Sequence, residues 1–252
     1  MTTVRPSRSP QRHVEHCMGT VFSFDVRTLG VDRAAITDAV DWLHWVDRTF
    51  STYKADSQIQ QIARQELTLE AAHVEVRDVL ERCSQLERET DGFFSAYATG
   101  VLDPSGLVKG WAIQRASDIL VEAGSTAHCV NGGGDMVCVG TTASQTPWRI
   151  GIAHPIVHGR LAGIVIAENL AIATSGTAER GEHITRPSGR GGADIASVTV
   201  VGADLGTVDA YATAAFAMGT DAMAWIEQLD GFEGLVVQTD GQAWRSSKLV
   251  VG

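Results

Sequence analysis

The chain has 252 residues, of which 44% are hydrophobic and 20% are charged. This composition is typical of a folded globular protein and excludes collagen-like and largely disordered chains. The formal net charge of −10 argues against a nucleic-acid partner, because nucleic-acid surfaces are built from clustered lysine and arginine. No stretch reaches the roughly 18 apolar residues of a transmembrane helix, so we expect no membrane span.

The first residues contain arginines and prolines but no apolar run, so we expect no signal peptide. We predict a flexible tail over residues 1–13 and one compact domain over 14–252. The four cysteines form no CxxC pair and no zinc-ligand spacing. We therefore expect free thiols and a cytoplasmic location.

In the N-terminal half, the sequence predicts mainly helices. Alternating apolar residues first indicate one strand, from residue 17 to a turn at 29–30. Apolar residues at helical spacing then predict a helix capped by Asp32, a short helix beginning at Ser57, and helices over 74–90 and 109–123.

In the C-terminal half, the sequence predicts mainly strands. These strands cover 128–130, 136–139, 148–153, 161–166, 171–174 and 197–201, with a closing hairpin over 234–238 and 243–250. We expect a mobile loop over 177–194, a helix from Thr207 and another over 221–229. Because regular β-α-β alternation is absent, the pattern favours an α+β fold with a largely antiparallel sheet and packed helices.

Asp209 and Thr213 are spaced four residues apart at the start of a predicted helix. Positions i and i+4 share one face, and carboxylate and hydroxyl oxygens are ligands suited to Mg²⁺. The alternative is an acidic residue that only stabilises the first helical turn, next to an incidental threonine.

The segment from Asp103 to Lys109 reads DPSGLVK, a turn that leads into a helix. Free amides at a helix start and a lysine in the first turn can bind an anion. A plain helix start with an exposed lysine is the alternative. The GxxxxGK[ST] spacing of a Walker A loop is absent.

Two further segments could line a ligand site. The run NGGGD, residues 131–135, permits close backbone approach to a ligand, with Asp135 ordering the loop or holding a polar ligand edge. A tight β-hairpin explains it equally well. The run ATSG, residues 173–176, precedes Arg180 and His183, and could belong either to a polar pocket or to a solvated loop.

The order of these segments is more specific than any one of them. In chain order they are MGT, FSTYKADSQI, TDGFF, LDPSGLVKGWA, VNGGGD, WRIGIAHP, ATSGTAERGEHI and DAYATAAFAMG. Together, over roughly residues 17–219, they resemble the ApbE family of FAD:protein FMN transferases. The resemblance implies a T-fold-like single compact domain. It also implies Mg²⁺-dependent transfer of the FMN half of FAD onto a threonine or serine hydroxyl of an acceptor flavoprotein, with release of AMP.

The resemblance also implies site residues. By this resemblance, Asp209, Thr213 and the backbone carbonyl of Gly106 hold Mg²⁺. The implied FAD contacts are Met18, Tyr53, Phe93, Phe94, Ser95, Asp103, Lys109 and Ile184. Asp209 and His183 are the candidate catalytic groups, His183 as a candidate general base.

The sequence departs from the family pattern at two acidic positions. Ser95 stands where the family usually has aspartate, and Arg186 stands in the acidic position of the segment that begins at His183. These losses concern nucleotide binding more than the metal site. Two alternatives therefore stay open: an FAD pyrophosphatase that gives FMN and AMP, and a flavin-binding protein without catalysis.

Overall fold

The computed structural model of the chain describes residues 9–141, 145–177 and 194–249. The predicted loop over 177–194 falls almost entirely outside these residues. The α-helices are α1 (Arg33–Phe50), α2 (Gln58–Ala63), α3 (Val74–Glu89), α4 (Ser105–Glu122), α5 (Leu205–Met218) and α6 (Ala222–Gln228). The strands are β1 (Gln11–Cys17), β2 (Thr20–Val26), β3 (His128–Gly132), β4 (Asp135–Val139), β5 (Trp148–Ala153), β6 (Leu161–Ala167), β7 (Leu170–Gly176), β8 (Ile195–Gly202), β9 (Glu233–Gln238) and β10 (Ala243–Arg245).

Eight strands form one sheet in the order β1-β2-β3-β4-β7-β8-β9-β10, and every neighbouring pair is antiparallel. Strands β5 and β6 form a separate two-stranded antiparallel sheet. The predicted α+β class with a largely antiparallel sheet is confirmed.

The side chains of the large sheet alternate between two hydrophobic cores, as the period of a strand requires. Val130, Ala173 and Val200 belong to the larger core, which contains the helices. Ile172 and Val201 belong to the smaller core, which contains the β5–β6 hairpin. Strand β8 is buried at every position, which explains its continuous apolar sequence.

The helix starts follow from capping residues. The Asp32 carboxylate accepts a hydrogen bond from the Ala34 N–H at 3.0 Å, and the Ser57 hydroxyl accepts one from Gln60 N–H at 3.1 Å. Asp204 caps α5 by accepting from Thr207 N–H at 2.8 Å. Helix α5 therefore begins at Leu205, two residues before the predicted start.

The N-terminal strand was not predicted correctly. The chain forms two strands there, β1 and β2, joined by a tight turn at Met18 and Gly19, whose φ angles are 49° and 69°. Since β1 begins at Gln11, ordered structure starts before the predicted domain boundary at residue 14. Two positive φ angles match the right-handed twist of a two-residue hairpin.

None of the helices in the described ranges combines the length and the hydropathy that a bilayer crossing requires.

Candidate functional site

Helices α4 and α5 pack closely because α4 presents glycines to α5. A methyl group on Gly110 would lie 2.4 Å from the Leu205 carbonyl oxygen and 2.8 Å from Asp209 Cβ. A Cβ never approaches other atoms so closely, so only glycine permits this separation of the two backbones. The close approach brings the carboxylate of α5 against the backbone of α4.

Asp209 lies in this contact and is 4% exposed. Its Oδ2 accepts a hydrogen bond from the Gly110 N–H at 3.0 Å. The interpretation of Asp209 as a residue of a polar first turn is wrong, because α5 begins at Leu205 and places Asp209 in its buried second turn. A buried carboxylate is costly unless it is paired, which marks this position as more than a helix-end charge.

Thr213 and Gly106 meet one turn further along the helix pair. A methyl group on Gly106 would lie 3.6 Å from Thr213 Oγ1 and 3.2 Å from Phe94 Cε2. Thr213 is half-buried and shares the α5 face of Asp209. The structure thus brings the three predicted metal-site residues, Gly106, Asp209 and Thr213, to one contact between two helices.

These residues offer a carboxylate, a hydroxyl and a backbone carbonyl, which are all oxygen donors. Mg²⁺ is commonly bound through one or two carboxylates together with substrate phosphates, so the donor set fits Mg²⁺. Within the described ranges, no group of three or more histidine, cysteine, aspartate or glutamate side chains could hold a metal. A cation held here would therefore depend on hydroxyl, backbone and substrate oxygens as well as Asp209.

Lys109 lies three residues after Gly106 and so on a neighbouring part of the same α4 face. Its side chain is 15% exposed, and its Nζ forms an ion pair with the Asp135 carboxylate, which is 0% exposed. Because α4 begins at Ser105, Lys109 is in the second turn and not in the predicted first turn. The alternative of a plain, exposed lysine is thereby wrong.

Asp135 comes from the NGGGD run, which forms a hairpin as one of the two interpretations predicted. Gly132 pairs with Asp135 across the turn, and Gly133 and Gly134 have φ angles of 63° and 101°. Asp135 Oδ1 accepts a hydrogen bond from the Thr174 N–H of β7 at 3.0 Å. The carboxylate therefore connects the hairpin both to α4 and to β7.

The remaining described site residues lie mainly on loops. Tyr53 is 95% exposed in the loop after α1, and Met18 is half-buried in the β1–β2 turn. Asp103 is exposed, and its Oδ1 accepts from the Ser105 N–H at 2.9 Å where α4 begins. Tyr53 and Asp103 therefore lie at the surface, whereas Met18 packs partly against the larger core.

The segment from Phe93 to Ser95 connects this surface to the core. Phe94 is buried against Gly106, and its N–H donates to Thr90 Oγ1 at 3.0 Å. Phe93 and Ser95 are half-buried, and Ser95 Oγ accepts from the Tyr97 N–H at 3.1 Å. A cavity of about 640 Å³ along α3 begins beside Ala96 and Tyr97, away from the Asp209 contact.

His183 and Ile184, the other two predicted site residues, lie outside the described residues.

Two features of this region were missed in the sequence. The first is the pairing of Asp135 with Lys109, although the glycine run did draw attention to Asp135. The second is a network in which Tyr211 OH donates to Glu89 Oε2 at 3.0 Å and Arg82 donates to Glu89 at 2.8 Å. Burial, followed by the hydrogen bond to Glu89, raises the pKa of Tyr211 to about 12. Tyr211 therefore stays a neutral donor that holds α3 to α5.

Known proteins match both the sequence and the fold. Residues 18–101 and 96–236 match the model of the ApbE family. A curated FAD:protein FMN transferase of Vibrio cholerae is 32% identical over 153 residues, which are 55% of this chain and 45% of that protein. The match thus spans less than half of that relative's length.

Among solved structures, the flavin transferase ApbE from Vibrio cholerae has a TM-score of 0.79 at 22% identity, covering 94% of this chain and 98% of that chain. The ApbE protein from Thermotoga maritima has a TM-score of 0.80 at 20% identity, with 95% and 97% covered. These likenesses show a shared fold. Since the family model matches most of the sequence, the chain belongs to the ApbE family.

Proposed function

We propose that the protein transfers the FMN half of FAD to a threonine or serine hydroxyl of an acceptor flavoprotein. The hydroxyl oxygen forms a new bond to the phosphorus of the FMN half. The pyrophosphate bond from that phosphorus to the bridging oxygen breaks, and AMP leaves with this oxygen. The hydroxyl proton passes to a base, for which His183 is the candidate.

The observation that carries this proposal is the buried Asp209 carboxylate, one helical turn from Thr213, whose hydroxyl lies by Gly106. Transfer to an alcohol requires that charge on the pyrophosphate be neutralised and that the weak nucleophile be oriented. Mg²⁺ held by Asp209, Thr213 and the Gly106 carbonyl would supply the positive charge and template both phosphates. The Gly110 N–H hydrogen bond fixes the Asp209 carboxylate for that role.

Lys109 adds ammonium donors on the same helix, held in place by the ion pair with Asp135. An ammonium has three N–H donors, so its ion pair with Asp135 is compatible with a phosphate oxygen as a second acceptor. We propose that it binds the pyrophosphate of FAD, while Tyr53, Met18, Asp103 and the segment from Phe93 to Ser95 contact the flavin and nucleotide. Ile184 completes this proposed FAD set.

A reducing, cytoplasmic location is part of the proposal. All four cysteines are free thiols, and burial raises the pKa of Cys17 to about 11 and that of Cys83 to about 12. Thiols with such pKa values are mainly protonated near neutral pH and are weak nucleophiles. Cys17 and Cys83 therefore have no part in the proposed reaction.

The test is to incubate the protein with FAD and Mg²⁺ and to measure AMP by chromatography. A purified acceptor flavoprotein domain is present, replaced by its Thr→Val variant, or omitted. We expect AMP in step with covalent flavin on the acceptor, and only when the acceptor threonine is present. AMP that forms equally without acceptor would contradict transfer and show that the protein is an FAD pyrophosphatase. FAD binding without AMP release would show that it is a flavin-binding protein without catalysis.

A further inference from the structure

Asp135 is a buried acid whose two carboxylate oxygens contact different structural elements. Oδ1 accepts the Thr174 N–H at 3.0 Å, and Oδ2 is paired with Lys109 Nζ. The backbone ladder between β4 and β7 runs from Met136↔Ile172 to Cys138↔Leu170, so Asp135 lies just beyond its end. Its side chain extends the connection between the strands where the backbone pairing stops.

The position of this carboxylate is determined by rigid structure on both sides. Asp135 is the first residue of β4 and pairs with Gly132 across a two-residue turn. Thr174 lies within β7, and its hydroxyl is 2.8 Å from the Thr199 hydroxyl of β8. The carboxylate is therefore fixed relative to the sheet before any ligand binds.

A lysine side chain has about 2 kcal/mol of rotamer entropy, so an unrestrained Nζ would lose freedom when it binds a phosphate. Pairing with a fixed carboxylate removes much of this freedom in advance. The pair has no net charge, so its benefit to an anionic ligand lies in the placement of the donors rather than in added attraction.

We propose that Asp135 is a positioning residue that holds Lys109 Nζ towards the pyrophosphate of FAD. This inference rests on the proposed function, since it assigns Lys109 to FAD. Asp135 acts through Lys109 and does not itself contact the substrate.

A double-mutant cycle tests the inference. Asp135→Asn, Lys109→Met and the double variant are compared with the wild type in the dissociation constant of FAD, measured by flavin fluorescence, and in kcat/KM for AMP release. Asp135→Asn should lose about 10- to 100-fold in kcat/KM, which is typical of lost outer-shell partners. Lys109→Met should lose at least as much, because it removes the proposed contact with FAD itself. The double variant should be no worse than Lys109→Met alone in FAD binding and kcat/KM, because Asp135 acts on FAD only through the lysine.

Losses that multiply in the double variant would overturn the inference and leave Asp135 with a structural role. Asp25→Asn, which disrupts the ion pair between Asp25 at the end of β2 and Arg27, is the matched control and should leave FAD binding and kcat/KM unchanged. Urea unfolding of each variant separates lost stability from lost positioning.

A second measurement on the wild type needs no variant to fold. The chain has three lysines, Lys54, Lys109 and Lys248, so ¹⁵N-lysine labelling gives a simple ammonium spectrum. The Lys109 ammonium should exchange with water more slowly than that of the more exposed Lys54, and FAD should shift its signal. Fast exchange, or a signal that FAD leaves unchanged, would overturn the inference.

The two proposals fail in different ways. If the double variant binds FAD no more weakly than Lys109→Met but the wild type forms no AMP, the transfer reaction is contradicted and the positioning role of Asp135 is retained. If the wild type releases AMP but the losses of the two single variants multiply in the double variant, transfer is retained and the positioning role is contradicted. A wild type that does not bind FAD would overturn both.

Discussion

The α4–α5 contact and the surrounding loops contain the described site residues in opposite environments. Asp209 and the Asp135–Lys109 pair are buried and bonded across elements that are distant in the sequence. Tyr53 and Asp103 are exposed and make contacts to residues two positions away. These residues and the core residues packed on α4 form the buried region, which these contacts hold in place before ligand binding. The exposed loop residues form a rim.

This difference separates two kinds of expected effect. A change in the buried region alters a charge or a packing contact, so it should affect stability together with turnover. A change in the rim leaves the core intact, so it should affect only the binding of FAD.

Asp209→Asn should lower the rate of AMP release at least about a hundredfold, because it removes the only carboxylate of the proposed oxygen site. It should also reduce the free energy of unfolding, since the Gly110 N–H loses a charged acceptor. Asp204→Asn is the matched control on the same helix, because asparagine caps a helix as well as aspartate. Full activity of Asp209→Asn at low Mg²⁺ would contradict the metal assignment.

Gly110→Ala should destabilise the fold by about 1–3 kcal/mol, because the methyl group meets the Leu205 carbonyl of α5. Helix propensity alone predicts the opposite sign, a gain of about 1 kcal/mol. Gly106→Ala is the matched variant: its methyl group meets the Phe94 ring at 3.2 Å, so the two effects should nearly cancel. Urea unfolding of both variants measures whether the contact with the Leu205 carbonyl outweighs the gain in helix propensity. Equal free energies of unfolding for Gly110→Ala and Gly106→Ala would show that it does not.

The buried region also predicts a pH dependence. Burial lowers the pKa of His128 to about 4, and its ring nitrogens lie 2.8 Å and 2.9 Å from the hydroxyls of Ser117 and Ser125. Below an unfolded-state pKa of about 6.5, the unfolded chain binds a proton that the folded chain does not accept until about pH 4, so stability falls on acidification. The His128 contribution to the loss at pH 5 is about 2 kcal/mol.

Urea unfolding at pH 7 and pH 5 measures this effect as the difference between wild type and His128→Gln. His158→Gln, at an exposed position, is the control and should retain the wild-type pH dependence. Equal pH dependence in wild type and His128→Gln would contradict the buried neutral imidazole.

Ser95→Asp tests the rim and should have the smallest effect. Aspartate can accept the Tyr97 N–H as Ser95 does, so the fold should be unchanged. If the segment contacts a hydroxyl or amino group of FAD, the added charge should tighten binding by up to about tenfold. Fluorescence titration with FAD measures this change. Unchanged or weaker binding would remove Phe93, Phe94 and Ser95 from the proposed FAD set.

The sequence predicted most elements because they are regular. In the described residues, strands β2 to β9 and most of the helices appear close to their expected positions, since apolar spacing and capping residues such as Asp32 are local signals. Helix α4 begins four residues before its predicted start, and β10 ends at Arg245, five residues before its predicted end. Strand β1 was missed because its residues, QRHVEHC, are mostly polar and its Val14 is exposed. An edge strand of this kind has no apolar alternation to reveal it.

The site was predictable in its residues but not in its environment. Helix α5 is rich in alanine and buried on nearly all sides, so no amphipathic pattern shows that Asp209 faces inward. The pairing of Lys109 with Asp135 joins residues 26 positions apart and depends on how α4 packs against the sheet. Such pairings arise from tertiary packing, which spacing along one element does not encode.

The proposed function requires a divalent cation held between α4 and α5. Mn²⁺, a paramagnetic substitute for Mg²⁺, broadens the NMR signals of nearby protons and can be added with FAD to protein carrying ¹³C-labelled threonine methyl groups. The Thr213 methyl signal should broaden strongly, that of the exposed Thr37 on α1 should not, and Asp209→Asn should abolish the effect. A Thr213 signal that stays sharp, or broadens no more than Thr37, would contradict the claim.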